Sequence, residues 1–189
     1  MSAILLAAPA AEPLSVAEAK SFLRVEHDDD DALIGALIAA ARNQIEALTR
    51  RGLLTQTWRL VLDRWPNDGR IAPRLAPLRA VTAARIYDAA NNASAIDAEQ
   101  FVIDAAAGVI AAPKWSLPAP GRDVAGIELD VTVGFGDNAA DVPEVLRHAL
   151  RTLVAHWYEH RGLAAIGASV AMLPGSVSAM IASYRVLSL

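Results

Sequence analysis

The sequence contains no cysteine, which excludes a disulfide-stapled scaffold, a thiol nucleophile and thiolate metal sites. It lacks an excess of positive charge. Its 17 Lys and Arg face 21 Asp and Glu, for a net charge of −4, whereas a general nucleic-acid binder carries a basic stripe. Long apolar runs are missing too: the longest strongly apolar stretch, Leu33 to Ala41, is about half of what a bilayer span needs. No membrane association is therefore expected. Aromatic residues make up only 5% of the chain, and the hydrophobic fraction of 54% comes largely from 40 alanines. Near the start, Ala8-Pro9-Ala10 mimics a signal-peptidase site. No Lys or Arg precedes Lys20, however, and proline interrupts a short apolar run, so no cleaved leader is expected. The 189 residues suffice for one compact domain with a buried core.

What is present is a change of period along the chain. Ser15-Val16-Ala17-Glu18 forms a capping box, in which hydroxyl and carboxylate each satisfy an orphan backbone N–H, and predicts a short helix to about Arg24. After His27-Asp28-Asp29-Asp30-Asp31, a long helix is expected to about Arg51. Its stripe is Leu33, Leu37, Ala41, Ile45 and Leu48, widened by Ile34 and Ile38, and Gly52 is placed to stop it. The period then falls to 2. Trp58, Leu60 and Leu62 alternate with Thr57, Arg59 and Asp63, and Ile127, Leu129, Val131 and Val133 alternate with Glu128, Asp130 and Thr132. Weaker strand candidates are Val81 to Asp88, Phe101 to Asp104 and Val109 to Ala111, the last two joined by the turn Ala105-Ala106-Ala107-Gly108. The proline-rich pieces Ala72 to Pro77 and Pro113 to Gly121 read as loops or edge segments. Helix returns after Gly134-Phe135-Gly136, with Asp141 as cap and Pro143 in the first turn. Leu146, Ala149, Leu150, Leu153, Val154 and Trp157 form its stripe, and a short helix follows Pro174. The expected fold class is α+β: a helical core of two N-terminal and two C-terminal helices, with a small, mostly antiparallel β-sheet module inserted over residues 55–133.

The candidate chemistry is sparse. His156-Trp157-Tyr158-Glu159-His160 matches the H-x-x-E-H pattern of inverted zinc peptidases. On a helix, His156 and His160 sit one turn apart on one face, the spacing of two imidazole ligands. The third ligand, a downstream carboxylate in those enzymes, is missing, because no Asp or Glu follows Glu159. Imidazoles near a helix C-terminus also complement its dipole. The run Asp28 to Asp31 lacks the ligand alternation and glycine of an EF-hand loop, and acids before and within a first helical turn ordinarily offset its positive end. Asn92-Ala93-Ser94 is a glycosylation sequon without a secretory context. Gly134-Phe135-Gly136 lacks the third glycine of a dinucleotide fingerprint and reads as a tight strand-to-loop turn. No phosphate-binding loop or nucleophile elbow occurs, so no enzyme, metal or cofactor is expected. From Gly162 to Leu189 the only charged side chain is Arg185. This stretch either completes its own core or docks on another protein, since a large apolar patch with little charge is usually an interface. The candidate contact residues are Val177, Met180, Ile181, Tyr184, Arg185, Val186, Leu187 and Leu189, with residues 174–189 as a docking helix and tail.

Several segments, taken in order, resemble the head–tail connector (adaptor) proteins of long-tailed phages and of phage-derived gene transfer agents. These are Leu14-Ser15-Val16-Ala17-Glu18-Ala19-Lys20, Leu23-Arg24-Val25, the acidic run into Ala32-Leu33-Ile34, and Thr55-Gln56-Thr57-Trp58. They continue with Val133-Gly134-Phe135-Gly136-Asp137, Val142-Pro143 and the helix end His156 to Arg161. The resemblance spans nearly the whole chain. It implies one connector domain over residues 1–189 with no catalytic site. It further implies a homo-oligomeric ring of about twelve subunits, built by head-to-tail contacts, between the portal protein of the capsid and the head-closure (stopper) protein. DNA would pass through the lumen without sequence-specific binding. Such a subunit is made in the bacterial cytoplasm and resides in the virion neck. The alternatives are another neck or tail-completion protein, or a zinc hydrolase using His156, Glu159 and His160.

Overall fold

The structure, a computed structural model, describes residues 1–112, 117–160 and 173–186. The chain forms two compact units. One comprises Met1–Ala10 and Thr55–Gly134; the other comprises Ala11–Leu54 and the described residues from Phe135 onward.

The second unit is helical. Helix α1 (Val16–Leu23) opens with the expected capping box: the Ser15 hydroxyl accepts from the Glu18 N–H at 3.1 Å, and the Glu18 carboxylate accepts from the Ser15 N–H at 2.9 Å. Helix α2 (Asp31–Thr49) ends earlier than expected. Its C-cap is Arg50, left-handed at φ 56°, and not Gly52. The Glu46 carboxylate accepts from the Leu53 N–H at 2.8 Å, which holds the returning chain and leaves Gly52 buried after the turn. The stripe of α2 is also rotated from the expected one. Ile34 and Ile38 lie at its centre with Ala41 and Ile45, while Leu33 is exposed.

Helix α3 (Glu144–Glu159) starts without the expected Asp141 cap. Asp141 instead closes a 3-10 turn, Ala139–Asp141, by accepting from the Asn138 N–H at 2.9 Å, and Pro143 occupies the N-cap position of α3. A Cβ on Gly136 would stand 2.2 Å from the Asp141 carboxylate, so this close approach requires glycine. Helix α4 (Gly175–Ile181) continues into the 3-10 turn Ala182–Tyr184. Leu146, Ala149, Leu150 and Leu153 of α3 and Val177 and Ile181 of α4 join the α2 stripe in one core.

The first unit holds two antiparallel sheets. One has the order β1-β2-β8-β4-β5, and the other β3-β7-β6. The strands are β1 (Ser2–Ala7), β2 (Gln56–Leu62), β3 (Arg70–Ile71), β4 (Leu78–Tyr87), β5 (Ala93–Ile96), β6 (Val102–Asp104), β7 (Val109–Ala111) and β8 (Ile127–Val133). The expected turn at residues 105–108 joins β6 to β7, which pair antiparallel. Sequence reasoning assigns no strand to β1, β3 or β5. Direct partners across the large sheet, such as Leu60, Leu129 and Ala84, share one face because side chains alternate with period 2. That face forms the second core with Ile71, Phe101 and Ile110. After β8, Gly134 adopts φ 127°, a conformation that favours glycine. The fold is α+β. Among the described residues, no helix is long and apolar enough to cross a membrane.

Candidate functional site

On the other face of the large sheet, the same alternation lines up charges. Arg59 of β2 lies opposite Asp130 of β8, and Arg85 of β4 lies opposite Glu128 of β8. Asp130, only 7% exposed, accepts from Arg59 Nε at 2.7 Å and Nη2 at 3.0 Å, and from Arg85 Nη1 at 2.9 Å. Arg59 also reaches Glu128 at 3.2 Å. Hydrogen bonds from Arg59 hold the Asp130 carboxyl below its ordinary value; burial opposes this, and Arg85 reinforces it. Arg59 is shifted upward by the same hydrogen bond. Both groups thus stay charged at neutral pH, which suits a register-fixing cross-strand ladder and not proton transfer. The alternation in the sequence sets Arg59, and Glu128 with Asp130, opposite the apolar positions of their strands without joining them. The signal was there in their alternation, but the strand order that brings in Arg85 was not.

In the helical unit, an open groove of about 720 Å³ is lined by Glu18, Phe22, Glu144, Arg147 and Arg151 among others. Arg147 bridges Glu18 at 2.8 Å and Glu144 at 3.2 Å, and Arg151 also contacts Glu144. The Glu18 carboxyl is lowered first by the Ser15 backbone N–H and then by its hydroxyl. Both groove carboxylates are therefore engaged within the chain, while Arg24, the third arginine of the lining, makes the groove net positive. The acidic run before α2 is likewise engaged: Lys20 meets Asp28 at 2.5 Å and Asp31 at 2.7 Å, and the Tyr158 hydroxyl donates to Asp30. In the sheet unit, a hollow lined by Trp65, Pro66, Ile71 and Leu117 has room for about 20 Å³, the space of a water molecule.

The H-x-x-E-H residues lie at the end of α3. The rings of His156 and His160 lie with centroids 4.4 Å apart and planes tilted by 41°, and His160 Nδ1 lies 2.7 Å from the His156 carbonyl oxygen. His160 is the C-cap, so its imidazole is engaged with the helix's own terminus. Among the described residues, no group of three or more His, Asp or Glu side chains is arranged to hold a metal ion.

The candidate contact residues at the C-terminus are divided. Val177 and Ile181 are fully buried in their own core, and Met180 and Tyr184 pack half-buried against it. α4 turns Val177 and Ile181 inward, against α3, which leaves Arg185 as the exposed member of the described set. The Val186 N–H donates to the Thr49 carbonyl at 3.0 Å, and Arg51 donates to the Tyr184 carbonyl at 2.6 Å. Leu187 and Leu189 lie outside the described residues.

The sequence model of the Phage gp6-like head-tail connector protein family matches residues 13–100. Over its whole length the chain is similar to a chain of the neck of an empty GTA particle, computed with C6 symmetry. The identity is 30% and the TM-score 0.83, covering 100% of this chain and 97% of that one. This chain belongs to the head–tail connector family. A chain of the neck of the native GTA particle, computed with C12 symmetry, is 29% identical with a TM-score of 0.76. A chain from the virion of the native gene transfer agent (GTA) particle is 28% identical with a TM-score of 0.75. Both matches cover 100% of this chain and 97% of theirs. No curated protein matches. The connector is a virion component, and its family is one of structural proteins. Within it, the charge ladder reads as architecture.

Proposed function

We propose that this connector is one subunit of a ring in the neck of a phage or gene transfer agent particle. The ring joins the portal to the tail-side stopper, and DNA passes through its lumen. The observation that carries this reading is the full-length, 30% identical match to a neck chain at a TM-score of 0.83. The cyclic symmetry of the matched necks supports head-to-tail ring contacts. The C-terminal tail is the portal anchor in this reading, now narrowed to the exposed Arg185 and the residues beyond it. Val177 and Ile181 hold α4 in place to present that tail.

Light scattering of the full-length chain, alone and mixed with the portal protein encoded nearby, tests the reading. The expected result is a complex whose mass equals the portal plus one connector ring. A variant ending at Val186 and carrying Arg185→Glu is expected to keep its fold and lose the complex. Truncation after Pro174 is the wrong tool, because it removes Val177 and Ile181 from the core. No complex with the full-length chain would move the connector away from the portal.

A further inference from the structure

Among the described residues the large sheet has two unpaired outer edges, those of β1 and β5, blunted only by the shortness of β5 and a bulge in β1. Natural sheets also blunt such edges with charged residues or proline. Here β1 reads Ser-Ala-Ile-Leu-Leu-Ala and β5 reads Ala-Ser-Ala-Ile, with no charge and no proline in either. All six residues of β1 are exposed, including Ile4 at 51%, Leu5 at 45% and Leu6 at 45%. Ile4 lies opposite Arg59 and Leu5 opposite Trp58, so the apolar side chains of β1 stand on both faces of the sheet. A lid over one face cannot bury them. A neighbour that extends the sheet can.

Every neighbouring pair in the order β1-β2-β8-β4-β5 is antiparallel, so β1 and β5 run in the same direction. A copy related by rotation about an axis along the strands would bring its β5 beside β1 as a parallel pair. Pairing of β1 with β1 is isologous and closes at two copies. A cyclic ring requires two different surfaces that fit each other, and the two edges of this sheet are such surfaces.

We propose that β1 of each subunit pairs with β5 of the next copy of this chain, joining the sheets around the ring. This rests on the ring reading above and names the contact that closes it. The four residues of β5 set the length of the shared ladder. The backbone groups left open on both edges supply its hydrogen bonds, as in other strand-addition interfaces.

The absence of cysteine makes the test clean. Leu5 and Ser94 stand on the same face of the sheet by their register. The full-length chain carrying Leu5→Cys and Ser94→Cys is assembled with portal and treated with a short thiol cross-linker. The mass of the untreated wild-type assembly is measured in parallel. The expected result is a ladder of covalent multimers on a denaturing gel for the double variant, with each single variant remaining monomeric. A ring of full mass whose double variant stays monomeric would overturn the β1–β5 contact while leaving the ring intact. Dimers from Leu5→Cys alone would show isologous pairing or another partner strand, and would overturn it too. If the wild-type chain forms no ring, the ring reading falls and this contact falls with it. Ile4→Lys provides a second check, because Ile4 is exposed in the single chain. The concentration needed for assembly is expected to rise by about tenfold or more with an unchanged melting temperature, since the added charge must be desolvated at the contact. Unchanged assembly would count against the contact.

Discussion

At Asp130, one carboxylate serves two guanidinium groups on two neighbouring strands. Replacing it with asparagine keeps the shape and removes the charge that Arg59 and Arg85 share. Asp130→Asn is expected to cost about 1.5–3 kcal/mol at neutral pH, the range for hydrogen bonds to charged groups, as measured by urea denaturation. The pH dependence follows from the direction of the shift. The folded carboxyl titrates below its ordinary value of about 3.9, so the folded state binds fewer protons than the unfolded one. The stabilisation is complete above that ordinary value and is lost as pH falls from it through the folded value. Glu18 is shifted the same way by Ser15. Stability is therefore expected to hold from pH 7 to about 5 and to fall below about 4, with a shallower fall in Asp130→Asn. An equally steep fall in the variant would remove Asp130 from the account. At this scale the sequence shows which residues share a face but not which charges meet, because the strands that flank β8 are set by sheet order.

Helix ends and strands differ in how legible they were. The capping box at Ser15 and Glu18 is local, and four residues suffice to read it. Arg50 ends α2 two residues before Gly52 because Glu46 holds the Leu53 N–H, a contact that only the folded turn creates. The central strands β2 and β8 announce themselves by alternation, since one face is buried and the other charged. Strand β1 does not, because its exposed residues carry no contrast between faces. Helix α4 shows the same limit in another form: its apolar side chains were readable, but whether they face their own core or a partner was not. Two substitutions separate these roles. Ile181→Ala is expected to lose about 2–5 kcal/mol of stability, the cost of a large-to-small change in a packed core. Arg185→Ala, four residues on, is expected to stay within about 0.5 kcal/mol of wild type while weakening portal attachment. Thermal melting and portal co-sedimentation, measured on both variants, read the two effects. A stable Ile181→Ala protein would mean that α4 is not the core element its burial indicates.

Across the whole molecule, charge bears on how DNA could move through a ring of such subunits. Phosphate binding requires Lys or Arg free to replace counterions, and this chain carries 17 such residues against 21 acids. Six of them are already engaged: Lys20 with Asp28 and Asp31, Arg42 with Glu12 and Glu46, Arg59 and Arg85 with Asp130, and Arg147 and Arg151 with Glu144. A phosphate would have to displace a carboxylate at each of these positions, within a chain whose net charge repels it. A duplex held by few contacts can slide, whereas one held by many is retained. The expected outcome is that duplex DNA binds the purified chain more weakly than about 10⁻⁴ M, the weak end of non-specific binding, with almost no dependence on salt. Gel-shift titrations at low and near-physiological salt check this. An affinity that falls by several powers of ten between about 50 and 200 mM salt would indicate six or more phosphate contacts, and would turn the ring from a passive conduit into a clamp on the DNA.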